Sequence, residues 1–400
     1  MGRPDLPNHH ASRSPPLVAA TILFSNRWRQ HRRSCSSCAR WGRGGTRDGF
    51  FFPNNSSYPA TSFSVELQVL TMNLGRNSSI CGCFGLNDGS DCHPRIYNEQ
   101  DILNSLGDGN VMSSINGGPW RSVMYRVHLQ DPSRVVVVKK LENKTASAVD
   151  ASLDDRCQSE VNLLDSICHD NIISLVACIL KDNFIVLVYD HNENGSLNQW
   201  LHYPELAAEG VLDWPTRLAI AIGVARGIYY LHHGRNNPIV HHNINSSSIL
   251  LDRDLKPKIS GFDFARVNLA EPDQPVPIWE LTAGNMFGYT APEYMTAVTS
   301  KVDVYSLGVV MLELVTGRVA NEAIADGHLA TWAGKHCNRL MKNVVDFSHV
   351  IDMAISVPDR VRYFKEMLAM FRLGVACTDK DPQERPPMHE VLSRLRNRGH

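Results

Sequence analysis

Four hundred residues, 43% of them hydrophobic, can bury a substantial core, and the length sets an expectation of about two or three compact units. A formal net charge of −1 excludes the electrostatic case for nucleic acid or an acidic surface as partner. That balance hides an uneven start: over residues 1–50 nine arginines stand against Asp5 and Asp48, which leaves +7.

The one apolar run in this basic stretch, LVAATILF at residues 17–24, is far shorter than the ~20 residues of a spanning helix. Arg27 and Arg29 follow where a secretory signal would carry small residues. Met1-Gly2-Arg3-Pro4-Asp5-Leu6 lacks the Ser or Thr of a myristoylation site. Arg- and Ser-rich, acid-poor composition describes a disordered basic tail and, as an alternative, an organelle transit peptide. Cys35-Ser-Ser-Cys38 and Cys81-Gly-Cys83 with Cys92 are too widely separated for a zinc ribbon, and no His completes a ligand set, so reduced thiols are expected. Residues 1–95, rich in Ser, Asn, Gly, Arg and Pro without a sustained period, are expected to be a low-complexity, disordered leader.

From Tyr97 the texture changes. Residues 123–127 and 135–138 are β-branched runs that predict strands, a helical period follows through Cys157, Val161, Leu164 and Ile167, and strands are predicted at 172–180 and 184–189. After the turn dipeptide Asn194-Gly195 the period turns helical. Trp214, Leu218, Ala221, Ile222, Ala225, Ile228 and Leu231 trace one face of a long helix begun at Asp213, with Pro215 in its first turn. Residues 302–315 are apolar almost all round, as in a helix at the centre of a lobe. The expected class is α+β, with a small strand-rich lobe over 96–191 and a larger helical lobe over 192–397.

Several stretches carry a specific resemblance. They are Val136-Val-Val-Lys139, Glu160, His169-Asp-Asn-Ile172, Val188-Tyr-Asp190, Asn194-Gly-Ser-Leu197, Ile239-Val-His-His-Asn-Ile-Asn-Ser-Ser-Ser-Ile-Leu-Leu-Asp252, Gly288-Tyr-Thr-Ala-Pro-Glu293, Asp303-Val-Tyr-Ser-Leu-Gly308 and Arg385-Pro386. Residues from about 97 to 397 resemble a bilobal protein kinase domain, most like the cytoplasmic kinase of plant leucine-rich-repeat receptor-like Ser/Thr kinases. The resemblance implies ATP as cofactor, held by Lys139 paired with Glu160 and bordered by Tyr189 and Asp190. It places the phosphate loop at Gly117-Gly118, where Pro119 and Trp120 interrupt the glycine pattern. His241, Glu293, Asp303 and Arg385 take structural positions.

The departures fall on the chemistry. The family's catalytic loop reads H-R-D-x-K-x-x-N, and its Asp, Lys and Asn positions hold Asn243, Asn245 and Ser248 here. An amide accepts no proton at neutral pH, and Asn245 has no charge to stabilise a moving phosphoryl group. His242 replaces the Arg that would bind an activation-loop phosphate. Gly261 stands where D-F-G supplies a magnesium ligand, so Mg²⁺ loses two ligands unless a two-residue slip presents Asp263-Phe264-Ala265 in its place. The expectation is therefore a pseudokinase acting as a scaffold, with other receptor-like kinases or signalling proteins as partners. Neither nucleic acid nor a membrane span enters, and the place is cytoplasmic, free or held at the membrane by a partner. The rival is a weak Ser/Thr kinase working through Lys139, Glu160 and a displaced Asp263.

Overall fold

The computed structural model describes residues 79–81, 96–107, 110–115, 120–130, 134–143, 151–203, 210–267, 287–296, 298–321, 327–341 and 346–397. Most of the expected leader, and Gly117-Gly118, lie outside the described residues. Within that leader stretch one strand is described: β1 (Ser79–Cys81) pairs antiparallel with β2 (Ile96–Asn98), which leads into the short helix α1 (Glu99–Asn104), N-capped by Asn98.

The small lobe is built on β3 (Val111–Ile115), β4 (Trp120–Leu129), β5 (Arg134–Asn143), the helix α2 (Ala151–Asp165), β6 (Leu175–Leu180) and β7 (Phe184–Asp190). The five strands form an antiparallel sheet in the order β3-β4-β5-β7-β6. Strand alternation decides what each residue of Val135-Val-Val-Val-Lys-Lys140 does. Val136 and Val138 enter a core with Val127, Val186 and Val188, whereas Lys139 turns to the opposite face. Lys140 turns away from it, pairs with Glu142 at 2.7 Å and lies over the Phe184 ring.

The large lobe opens with α3 (Leu197–His202), held by a capping box between Ser196 and Gln199. The long helix α4 (Trp214–His233) begins as its sequence predicts, with the Asp213 carboxylate accepting from the Thr216 N–H and Pro215 in the first turn. Four short strands follow, β8 (Ile239–Val240), β9 (Ile249–Leu251), β10 (Pro257–Ile259) and β11 (Arg266–Val267), paired β9 with β10 and β8 with β11. A 3₁₀ turn, Phe262–Phe264, separates the last two. Then come α5 (Lys301–Thr316), α6 (Leu329–Met341), α7 (Val357–Arg362), α8 (Phe364–Cys377) and α9 (Met388–Arg396). Every residue of α5 from Val302 to Thr316 except Tyr305 is buried, which explains its near-uniform apolar sequence, and Gly317 ends it at φ 65°. The main apolar core of this lobe reaches Leu164, Ile185 and Leu187 of the small lobe, and a smaller cluster gathers Val240, Ala291, Tyr294, Val298 and Val302. Among the described residues no helix is long and apolar enough to cross a membrane.

Candidate active site

Between the lobes, one ammonium is shared by two carboxylates. Lys139 Nζ lies 2.9 Å from Glu160 Oε2, brought there by α2, and 2.5 Å from Asp263 Oδ1 in the 3₁₀ turn. Burial works against the lysine's charge, but Asp263 and Glu160 outweigh it and hold Lys139 above its ordinary value. Glu160 is pushed up by burial, with Lys139 and the Tyr189 hydroxyl, which donates to Oε1 at 2.7 Å, working the other way. The side chain of Tyr189 is thus committed behind the ion pair, and that of Asp190 pairs with Arg134.

Asp263 reaches Lys139 from the 3₁₀ turn. Phe262 packs edge-on against His241, with ring centroids 4.6 Å apart. Gly261 makes this possible: at φ 81° and ψ 52° it takes a left-handed conformation that costs glycine nothing, and the carboxylate arrives two residues later.

The catalytic-loop positions bond to one another. Asn245 Nδ2 donates to the Asn243 side-chain oxygen at 2.8 Å and to its carbonyl at 3.1 Å, and Asn245 Oδ1 accepts the N–H groups of Ser247 and Ser248, each at 2.9 Å. Ser248 Oγ donates to the Asn243 carbonyl at 2.7 Å and accepts from the Asn245 N–H at 3.0 Å. Asn245 and Ser248 are both buried. Sequence reading finds no charge at these positions, but it misses that the substitutes satisfy each other. The signal was available, since Asn and Ser two or three residues apart are the residues that cap turns through their own backbone.

This loop rests on Asp303 of α5, which is fully buried. Its carboxylate accepts the His241 N–H at 2.8 Å, the His242 N–H at 2.9 Å and the His232 ring at 2.9 Å. Burial alone would raise its pKa, yet His232, His242 and His241 together bring it below the usual carboxylate value. Farther out, Arg385 meets Glu293 bidentately, at 2.6 and 2.8 Å, donates to the carbonyls of Asp379 and Lys301 and lies over the Tyr305 ring.

A model of the protein kinase domain matches residues 112–395. The chain belongs to that family. Among known proteins of Arabidopsis thaliana, this kinase domain is similar to MDIS1-interacting receptor like kinase 1, at 33% identity, covering 76% of the chain and 29% of the relative. Receptor protein-tyrosine kinase CEPR1 is 32% identical, covering 80% of the chain and 32% of the relative, and receptor-like kinase TMK2 is 34% identical, covering 86% and 37%. The chain spans about a third of the length of these relatives. The bilobal α+β architecture read from the sequence is the one observed.

The kinase family's cofactors can be held against these residues. A protonated, anchored Lys139 suits an anionic phosphate group. Magnesium does not suit the rest of the site. It asks for one or two carboxylates in near-octahedral geometry, whereas Gly261 offers no oxygen ligand from its side chain, the Asn245 and Ser248 oxygens are engaged within the loop, and Asp263 is drawn to Lys139.

Proposed function

We propose that this kinase domain is a pseudokinase: a signalling scaffold of the receptor-like kinase type, cytoplasmic, that engages other receptor-like kinases or signalling proteins and transfers phosphoryl groups weakly or not at all. The closed bonding of Asn243, Asn245 and Ser248 carries this reading. A general base contributes about 10²–10⁴-fold to such a reaction, and the residue in its place is an amide whose oxygen already accepts from Asn245. The buried anchors Asp303 and Arg385 are meanwhile intact, which favours a fold kept for binding. ATP held at Lys139 without turnover is compatible with this role.

A second reading has its own observation. The 2.5 Å contact of Asp263 with Lys139 keeps one carboxylate at the phosphate end of the cleft, as a weak Ser/Thr kinase using Lys139, Glu160 and Asp263 would require. Radiolabelled autophosphorylation by the purified chain, combined with ATP thermal shift with and without magnesium, separates the two. The expected result is no transfer and no magnesium dependence, followed by transfer in the fourfold variant Asn243→Asp, Asn245→Lys, Ser248→Asn, Gly261→Asp. Wild-type transfer that disappears with Lys139→Met supports the weak kinase instead.

A further inference from the structure

We infer that the outer face of α7, with the groove beside it, docks an acidic amphipathic helix of a partner protein. No residue of α7 is buried. Val357 and Val361, one helical turn apart, are 61% and 76% exposed, and Met353 beside them is 72% exposed. A single exposed valine means little, but two exposed valines lining a groove, with Met353 exposed as well, mark a contact surface. The groove, about 450 Å³, is lined by Ser348, Ile351, Val357, Arg360, Val361 and Phe364.

Charge selects the occupant. Arg360 donates through Nη1 to the Met353 sulfur at 2.8 Å, a weak neutral acceptor, while its buried Nε has no hydrogen-bond partner, and a cationic donor of this kind is better satisfied by a carboxylate. Arg362 and Lys365, both exposed, extend the basic rim. Two nearby acids are committed elsewhere: Asp352 pairs with Arg217 at 2.8 Å, and Glu366 accepts from the Trp214 indole at 3.1 Å. The face therefore offers an apolar stripe one turn long beside three basic side chains, Arg360, Arg362 and Lys365, against the one acid of the helix, Asp359. A helix with apolar residues at i, i+3 and i+4 and Glu or Asp between them matches both features. The chain's own residues 1–50, at +7 from nine Arg against two Asp, carry the wrong sign to fill this role. None of the groove residues belongs to the catalytic loop or the Lys139 pair, so the inference stands whether or not the cleft is active.

The test uses the full chain and a fluorescein-labelled peptide of about 18 residues with Leu at helical i, i+3, i+4 and i+7 positions and Glu elsewhere, beside a twin with Lys for Glu. Anisotropy titration should show binding of the Glu peptide alone. Val361→Asp, at a position too exposed to affect folding, should abolish it. Arg360→Glu should weaken it about tenfold and admit the Lys peptide. Equal binding of both peptides, indifference to Val361→Asp, or no binding of the Glu peptide up to about 1 mM overturns the inference. Self-association, or adsorption to phosphatidylserine vesicles, that is lost in Val361→Asp would assign the face to a second copy or a bilayer and equally overturn it.

Discussion

The catalytic loop and the platform beneath it lie a few ångströms apart and have been treated differently by the sequence. At residues 243–248, where the sequence resemblance sets the kinase family's catalytic groups, amides and hydroxyls close on one another. At Asp303 and Arg385 the charges persist, buried and bonded, and Glu293, half-buried, keeps its bidentate partner. A buried charge is tolerated only with its partners in place, so Arg385 and Glu293 hold each other there and Asp303 depends on the groups of His232, His241 and His242. A loop of neutral groups is under no such obligation: it can lose its chemistry and still satisfy its hydrogen bonds.

Breaking the platform should therefore cost most. Arg385→Met leaves Glu293 without its bidentate partner and frees the carbonyls of Asp379 and Lys301. The expected loss is about 3–5 kcal/mol in urea denaturation. A loss below about 1 kcal/mol would mean that the pair is solvated and the contrast with the loop false.

Acid should attack the seam between the two regions. Burial, against the pull of Asp303, lowers both His241 and His242 to about 4, from an ordinary 6.5. Because the folded values are depressed, the stabilisation is complete above pH 6.5 and is lost as pH falls from there toward 4, where the unfolded chain binds the extra protons. At pH 5 each histidine should cost about 2 kcal/mol relative to neutral pH. Denaturation midpoints measured from pH 7 to pH 5 check this, and His242→Asn should remove about half of the slope.

Much of the platform was legible because it is punctuated locally. Asp213 and Pro215 start a helix, Gly317 stops one, and the strand-then-helix pattern suffices to bring Lys139 to Glu160 across 21 positions. The loop's internal bonds were not read, because composition shows which charges are missing but not where the neutral replacements point. Nor could the Tyr189 to Glu160 bond be seen, or the turn that carries Asp263 to Lys139. The first depends on the packing of α2 against the sheet, the second on the backbone angles of one glycine.

Within the loop the effects should be smaller. Ser248→Ala removes a hydroxyl that donates to the Asn243 carbonyl and accepts the Asn245 N–H, leaving buried polar groups unpaired at a cost of about 1–3 kcal/mol. Ser248→Asn, the family residue, should recover part of that, because its amide can take over both roles.

The smallest effect belongs to Gly261, and it bears on the fourfold variant that tests the proposed function. Any Cβ there meets a left-handed backbone and lies 3.2 Å from Asn243 Nδ2. Alanine should cost about 1–2 kcal/mol. Aspartate tolerates that conformation better, and its carboxylate can accept from the amide it approaches, so Gly261→Asp should destabilise less than Gly261→Ala. If the two cost the same, Asn243 cannot turn toward a restored carboxylate. The loop would then be closed by its backbone rather than by its side chains, and restoring the family's residues would return charge to the site without returning phosphoryl transfer.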